Sequence, residues 1–407
     1  MKTAIYTLTS ALHDEKAIGA QTREFLDSLD PNFELKGDDF SDFGTHTLNL
    51  IYVRTGGTEG LFLKMCADLT RRCQHPIYLL TSGKSNSLAA SMEILSFLRQ
   101  QDMEGEIIHG TPEYIAHRIK DLEEVCAIRQ RLQGQRLGII GEPSDWLISS
   151  HPYPEAVAHR LGMELVKVPM EELIGEIDKA SDTLPEGISA EGREGVKDAL
   201  PGAAKIYHAL RTVVDRYRLQ GFTLRCFDLL TAVHNTGCLA LALLNSEGIV
   251  AGCEGDVPAM VSMAVAQAVT GMTGFQANPA SIDPQSGRMV FAHCTIPLNM
   301  VQRYEFDTHF ESGIGVGIRG YMQQGPVTIF KLSGDLSRMF VAEGVLVENQ
   351  SKPDLCRTQQ VIQLSDPSQT TYFLNNPIGN HHIILPGHHA KILKEFDSFT
   401  PPLLKND

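Results

Sequence analysis

One stretch constrains this chain more than any other: Ile249–Pro297, reading IVAGCEGDVPAMVSMAVAQAVTGMTGFQANPASIDPQSGRMVFAHCTIP. A short apolar run ends in Glu254 and Asp256. A helix-like segment of small residues follows, then a Gly/Pro loop around Asn278. A second apolar run ends in His293 and Cys294. Acids at the carboxyl end of one strand and a His–Cys pair at the end of the next are how an α/β sheet builds a site.

The rest of the chain supplies such a sheet. Thr3–Leu8, Thr47–Val53 and Pro76–Leu80 read as strands. They alternate with helical periodicity over Thr58–Leu69, Ser85–Gln101 and Pro112–Leu132. This predicts a doubly wound, mostly parallel sheet over residues 1–134. The turn Arg54–Gly60, RTGGTEG, either cradles an anion at a helix N-terminus or is a tight βα turn. A second doubly wound unit spans 135–297, from the strand Arg136–Ile140. It continues through a helix at Tyr153–Leu161, a strand at Glu164–Val168, a helix at Lys205–Leu219, a strand at Phe222–Phe227 and a helix at Thr236–Leu244. Ala180–Gly202 is polar and reads as loop with a solvated helix.

Beyond Pro297 the pattern changes. Short β-like runs at Tyr304–Phe310, Ile314–Met322, Val327–Leu332, Ser337–Val347, Gln360–Leu364 and Thr371–Leu374 are separated by turn residues, with a helix at His388–Phe396. They predict a C-terminal antiparallel, barrel-like β domain over 298–407. The loose GxGxxG in Ser312–Gly320 lies among β runs with no helix after it, so it is not a dinucleotide site.

Composition narrows the function. A net charge of −14 argues against non-specific nucleic-acid binding. No run of about 18 apolar residues occurs, so no membrane span is expected. The N-terminus lacks signal-peptide features, and eight cysteines without a CxxC pair suggest reduced thiols and a cytoplasmic protein.

Several residues carry candidate chemistry. Glu254, at a strand tip between glycines, is suited to binding a hard cation or moving a proton. Asp256 is either a second inward acid or, with Pro258 just after it, the N-cap of the following helix. His293 is either a site residue opposite Glu254 or a buried structural histidine. Cys294 reads as a small buried residue in default of an activating environment. Four of the fifteen histidines, His381, His382, His388 and His389, fall in LNNPIGNHHIILPGHHAKIL. They suggest metal ligation, with His381 the first choice. Adjacent histidines in a strand point oppositely, so only one of each pair reaches a given ion. Trp146, the single tryptophan, follows Glu142 at a strand end and either stacks on a sugar or acts as a lid. Arg225 holds a substrate group or pairs with Glu254. His309, Glu311 and Arg357 lie at strand ends of the third domain, facing the cleft or simply exposed.

These motifs resemble the L-fucose isomerase family and its smaller fucose isomerase-like relatives. The resemblance rests on Glu254 in CEGDVPAM, Asn278 in GFQANP and His381 in GNHHIILPGH, and extends over about Arg225 to Leu393. It implies two Rossmann- or flavodoxin-like α/β domains, a β-rich third domain, and a homo-oligomer, trimer or hexamer. It further implies aldose–ketose interconversion of an open-chain monosaccharide of the fucose or arabinose type. A divalent metal, usually Mn2+, would be held by Glu254, Asn278 and His381. Glu254, Asn278 and His293 would carry the chemistry, and Arg225, Trp146, Asp256 and Arg357 would hold the sugar. The chain departs from the family at Asn278, which stands where the family has an acid. Asn offers an oxygen to a cation but neither charge nor a base. The missing role therefore falls to His293 or Asp256, or the protein is an epimerase or a sugar-binding or regulatory homologue without turnover.

Overall fold

A computed structural model describes residues 3–29, 33–72, 76–188 and 196–398. Two compact units emerge, one formed by the chain up to Arg131 together with the segment from Glu395, the other by Leu132–Lys394.

The first unit alternates β1 (Thr3–Leu8), α1 (Glu15–Asp27), β2 (Phe33–Gly37), β3 (Leu48–Val53), α2 (Glu59–Arg72), β4 (Ile77–Leu80), α3 (Ser87–Gln100), β5 (Gly105–Ile108) and α4 (Pro112–Leu132). The strands pair in parallel in the order β2-β1-β3-β4-β5. Residues of α2 and α3 pack on one face, and residues of α1 and α4 on the other. Strands covered on both faces must be apolar throughout, which is why β1 and β3 are wholly buried and legible as runs. The edge strand β2 is half-exposed and α1 buries only Ile18, Thr22 and Leu26, so neither is an apolar run in the sequence. The turn Arg54–Gly60 is a βα turn, with Gly57 at φ +74 and the Gly56 amide bonded to the Ser85 carbonyl.

The second unit opens with β6 (Arg136–Ile140), α5 (Pro154–Leu161), β7 (Glu164–Val168), α6 (Met170–Ile177), α7 (Val196–Tyr217), β8 (Gly221–Leu224), α8 (Asp228–Ala232), α9 (Cys238–Ser246), β9 (Val250–Cys253) and α10 (Val257–Thr270). Its parallel sheet runs β7-β6-β8-β9. Part of the polar segment expected as loop, residues 189–195, lies outside the described residues; from Val196 it is helix α7.

A closed antiparallel barrel follows. Its strands are β10 (Phe275–Asp283), β11 (Arg288–His293), β14 (Gly325–Leu332), β15 (Met339–Gln350), β16 (Thr358–Leu364) and β17 (His382–Pro386). A two-stranded ladder, β12 (Arg303–Asp307) with β13 (Gly317–Tyr321), is inserted in the chain between β11 and β14. The barrel thus begins at Phe275, inside the stretch expected to close the second α/β region. The segment around Asn278, expected as loop, is strand β10. Its Pro279 is tolerated because a bulge between Pro279 and Ser281 breaks the ladder there. The run Thr371–Leu374, expected as a strand, lies in helix α11 (Thr370–Asn375), with Tyr372 stacked on Phe340 at 3.7 Å between ring centroids. A run of four apolar or aromatic residues cannot distinguish the two structures by period. Helix α12 (Ala390–Ser398) ends the described chain. Sheet and barrel share one buried core, from Phe222 and Leu224 through Phe275 and Phe291 to Ile329 and Ile362. No helix among the described residues is long and apolar enough to cross a membrane.

Candidate metal centre

The strand order of the second sheet reverses between β6 and β8, and a crevice is expected outside the carboxyl ends of strands at such a point. Glu254 stands there, directly after β9. Its φ is +63, rare for a side chain other than glycine, and Gly255 follows at +71. A Cβ on Gly255 would come within 2.8 Å of the Glu142 carbonyl and Pro143 Cα, so only glycine fits. The tip is clamped from several sides. The Ser144 amide donates to the Glu254 carbonyl at 3.1 Å, and the Gly255 amide to Leu224 at 3.0 Å. The Gln276 side chain accepts from the Cys253 amide at 2.9 Å and donates to its carbonyl at 3.3 Å.

Two barrel histidines meet this tip. His293 ends β11 and His381 immediately precedes β17. His381 Nε2 lies 3.4 Å and His293 Nε2 3.7 Å from Glu254 Oε1, with 5.4 Å between the ring centroids. One ligand atom from each of the three residues falls within 4.8 Å of the others. His381 Nε2 and His293 Nδ1 are buried and make no hydrogen bond. Of these, His381 Nε2 is the orphan beside the carboxylate, and with His293 Nε2 nearby it makes a donor set for a divalent cation. The other carboxylate oxygen, Oε2, accepts from the Trp146 indole at 2.7 Å.

A second layer holds His381. Asp256 caps α10 through Oδ1, which accepts from the Ala259 amide at 2.8 Å, while Oδ2 lies 2.9 Å from His381 Nδ1. Both alternatives read for Asp256 are thus partly realised, since it is a cap that also faces the site. Lys331 Nζ sits 3.7 Å from the same oxygen, with both side chains fully buried. Lys331 was not anticipated; its one signal is a lysine inside the apolar run of β14.

The charges follow from this packing. Burial works against the Glu254 carboxylate, but the His381 and His293 imidazoles hold its pKa far below the usual range. Burial opposes protonation of His381, yet Glu254 and Asp256 raise its pKa to about 9. His293 is pushed down by burial, despite Glu254 beside it. His309 falls to about 4 through burial and the neighbouring His293. Asp256 is held low against its burial by Lys331 and His381.

The remaining candidates divide. Arg225 pairs with Asp145 and Asp228, each at 3.1 Å, and not with Glu254. Trp146 is half-exposed, with its ring edge on Phe227 at 4.8 Å; Phe227 in turn meets His309 at 5.6 Å. Arg357 donates to the Thr308 carbonyl at 2.7 Å and lies 3.7 Å from Asp307. Asn278 pairs in register with Ala292, the residue before His293, and its Oδ1 is buried without a partner. Glu311 is exposed, and Cys294 is buried. His382 points away, bonded to Tyr372 and the Asn380 carbonyl, and burial lowers its pKa to about 3. His388 pairs with Glu343 at the surface, and His389 bonds to the Pro386 carbonyl.

No family model matches the chain. A sulfoquinovose isomerase from Clostridium sp. (strain MSTE9) is 23% identical over 280 residues, covering 65% of this chain and 60% of that protein. Sulfoquinovose isomerases from Priestia aryabhattai and Priestia megaterium (strain ATCC 12872 / QMB1551) are each 22% identical over 311 residues, covering 71% of this chain and 68% of theirs. The chain therefore spans less than two thirds of the Clostridium protein. Similarity to these sugar isomerases agrees with the resemblance carried by the motifs at Glu254, Asn278 and His381.

Proposed function

We propose that the protein is a metal-dependent aldose–ketose isomerase acting on a small open-chain sugar. The observation that carries this reading is the meeting of Glu254, His293 and His381 in a buried site, with His381 Nε2 beside the carboxylate left without a hydrogen bond. These three residues would hold the cation, with Mn2+ the first to test. When bound, such a cation polarises a carbonyl and its neighbouring hydroxyl and acidifies the C–H between them.

The protein's own groups then have distinct tasks. Glu254, kept ionised, takes the proton from the carbon beside the carbonyl and returns it to the other carbon of an enediol. Trp146 orients that carboxylate through its indole N–H. Asp256 fixes His381 by its Nδ1, leaving Nε2 free to bind. His309, neutral near pH 7, would hydrogen-bond a sugar hydroxyl. Sulfoquinovose, from the relatives' name, is the first substrate to try, beside fucose and arabinose types. A trimeric or hexameric, cytoplasmic enzyme belongs to the same reading. A second reading, sugar binding without turnover, is favoured by Asn278 standing in place of an acid.

Mn2+-loaded protein incubated with each sugar in D2O should place deuterium at C1 or C2 of both aldose and ketose. Binding without label would favour the second reading, and label without carbonyl migration would mean an epimerase. Absence of bound or acquired divalent metal, with Glu254→Gln leaving activity unchanged, would sink the metal-dependent reading.

A further inference from the structure

The site is underlain by a thiol pair that the isomerase reading does not use. Cys226 Sγ and Cys253 Sγ lie 3.0 Å apart, and both are free thiols. They stand at the tips of adjacent parallel strands, where Leu224 is in register with Cys253 and Cys226 follows two residues later. A bonded S–S distance is about 2.05 Å, so an ångström of approach separates the pair from a disulfide. Both sit against the chemistry. Cys253 directly precedes Glu254. Cys226 directly precedes Phe227, whose ring meets Trp146 and His309. Cys226 is 8% exposed and Cys253 3%, so a reagent reaching them must be small, and Cys226 is the more open.

We propose that Cys226 and Cys253 are a modification site, forming a reversible disulfide with peroxide-class oxidants that displaces Glu254 from His293 and His381. The second clause rests on the metal-centre reading above; the first does not. Hydrogen peroxide transfers one oxygen to the Cys226 sulfur, giving a sulfenic acid and water. The Cys253 sulfur attacks that sulfur, forming the S–S bond and expelling the hydroxyl, which leaves as a second water with the Cys253 proton. Two thiols are oxidised by two electrons as one peroxide is reduced. The pre-set contact makes the second step intramolecular. A dithiol restores both sulfurs by exchange. The bridge acts on Glu254 because Cys253 is the adjoining residue, and the Glu254 backbone is already held in an uncommon conformation. Removing the carboxylate from its partners takes one ligand from the trio.

The test treats the full-length, metal-free protein with hydrogen peroxide, caps remaining thiols with N-ethylmaleimide and maps peptides by mass spectrometry. The expected result is a joined Cys226–Cys253 peptide, lighter by two hydrogens and released by dithiothreitol. Mn2+ affinity, measured by calorimetry, should fall about tenfold or more in the bridged protein and recover on reduction. Cys226→Ser should form no such peptide and keep its Mn2+ affinity through the same treatment; Cys226→Ala serves if serine disturbs folding. Unjoined cysteines, or bridging confined to Cys294 and Cys356, would overturn the modification site. A bridged protein with unchanged Mn2+ affinity would overturn its effect on Glu254. If reduced protein binds no Mn2+, the proposed function and the displacement fall together, while the joined peptide still decides the bridge.

Discussion

The Nδ1 of His381 lies 2.9 Å from the Asp256 carboxylate, across 125 positions of chain. That contact joins the cap of α10 to the loop before β17, and it commits the opposite nitrogen of His381 to Glu254. Asp256 is thereby both the start of a helix and the support of a candidate ligand.

Asp256→Asn separates these roles. Asparagine still caps a helix, so the capping loss of about 1 kcal/mol seen with alanine should be largely spared. The charge that orients His381 is lost, and Mn2+ affinity should fall about 10- to 100-fold. Calorimetric titration checks the affinity, and circular dichroism checks that the helix persists.

Lys331 and Asp256 are buried together, and removing one partner leaves the other uncompensated. Lys331→Met should destabilise the protein by about 3 kcal/mol, as should Asp256→Asn through the stranded lysine. The double variant should cost clearly less than the sum. Strict additivity in denaturant unfolding would mean that the two groups do not interact.

His381 sets a pH dependence in metal-free protein. Its folded-state pKa is raised from 6.5 to about 9. The stabilisation is therefore complete below about pH 6.5 and lost as pH rises through about 9, amounting to about 3 kcal/mol. Melting temperatures of chelator-treated protein should fall over that window, and His381→Asn should flatten the change. Mn2+ binding in the same window should release about one proton, seen as a buffer-dependent enthalpy.

Trp146 is the only tryptophan, and its indole donates to Glu254. Its fluorescence should change on Mn2+ addition in the native protein and stay constant in Glu254→Gln. Trp146→Phe keeps an aromatic edge on Phe227 but removes the donor. Turnover should drop about tenfold, in keeping with one lost hydrogen bond to a charged group.

The parts of the fold that were legible are those written in local periodicity. β1, β3 and β4 are fully buried runs, and α10 carries its own start signals in Asp256 and Pro258. β2 and α1 were missed because their exposed faces dilute the pattern. Asn278 looked like loop because proline and small polar residues surround it, whereas barrel pairing on both sides makes β10 a strand.

The sequence by itself determined the alternation of strands and helices, the change to β structure and the glutamate at a strand tip. These are short-range properties, set by which neighbouring residues must be buried. Only the tertiary structure decided that His381, rather than His382, His388 or His389, meets Glu254. It also decided that Arg225 turns to Asp145 and Asp228, and that Lys331 compensates Asp256. Apart from the local Arg225–Asp228 pair, those outcomes depend on tertiary packing and strand register, which bring together side chains far apart in the chain and leave no trace in the periodicity of either segment.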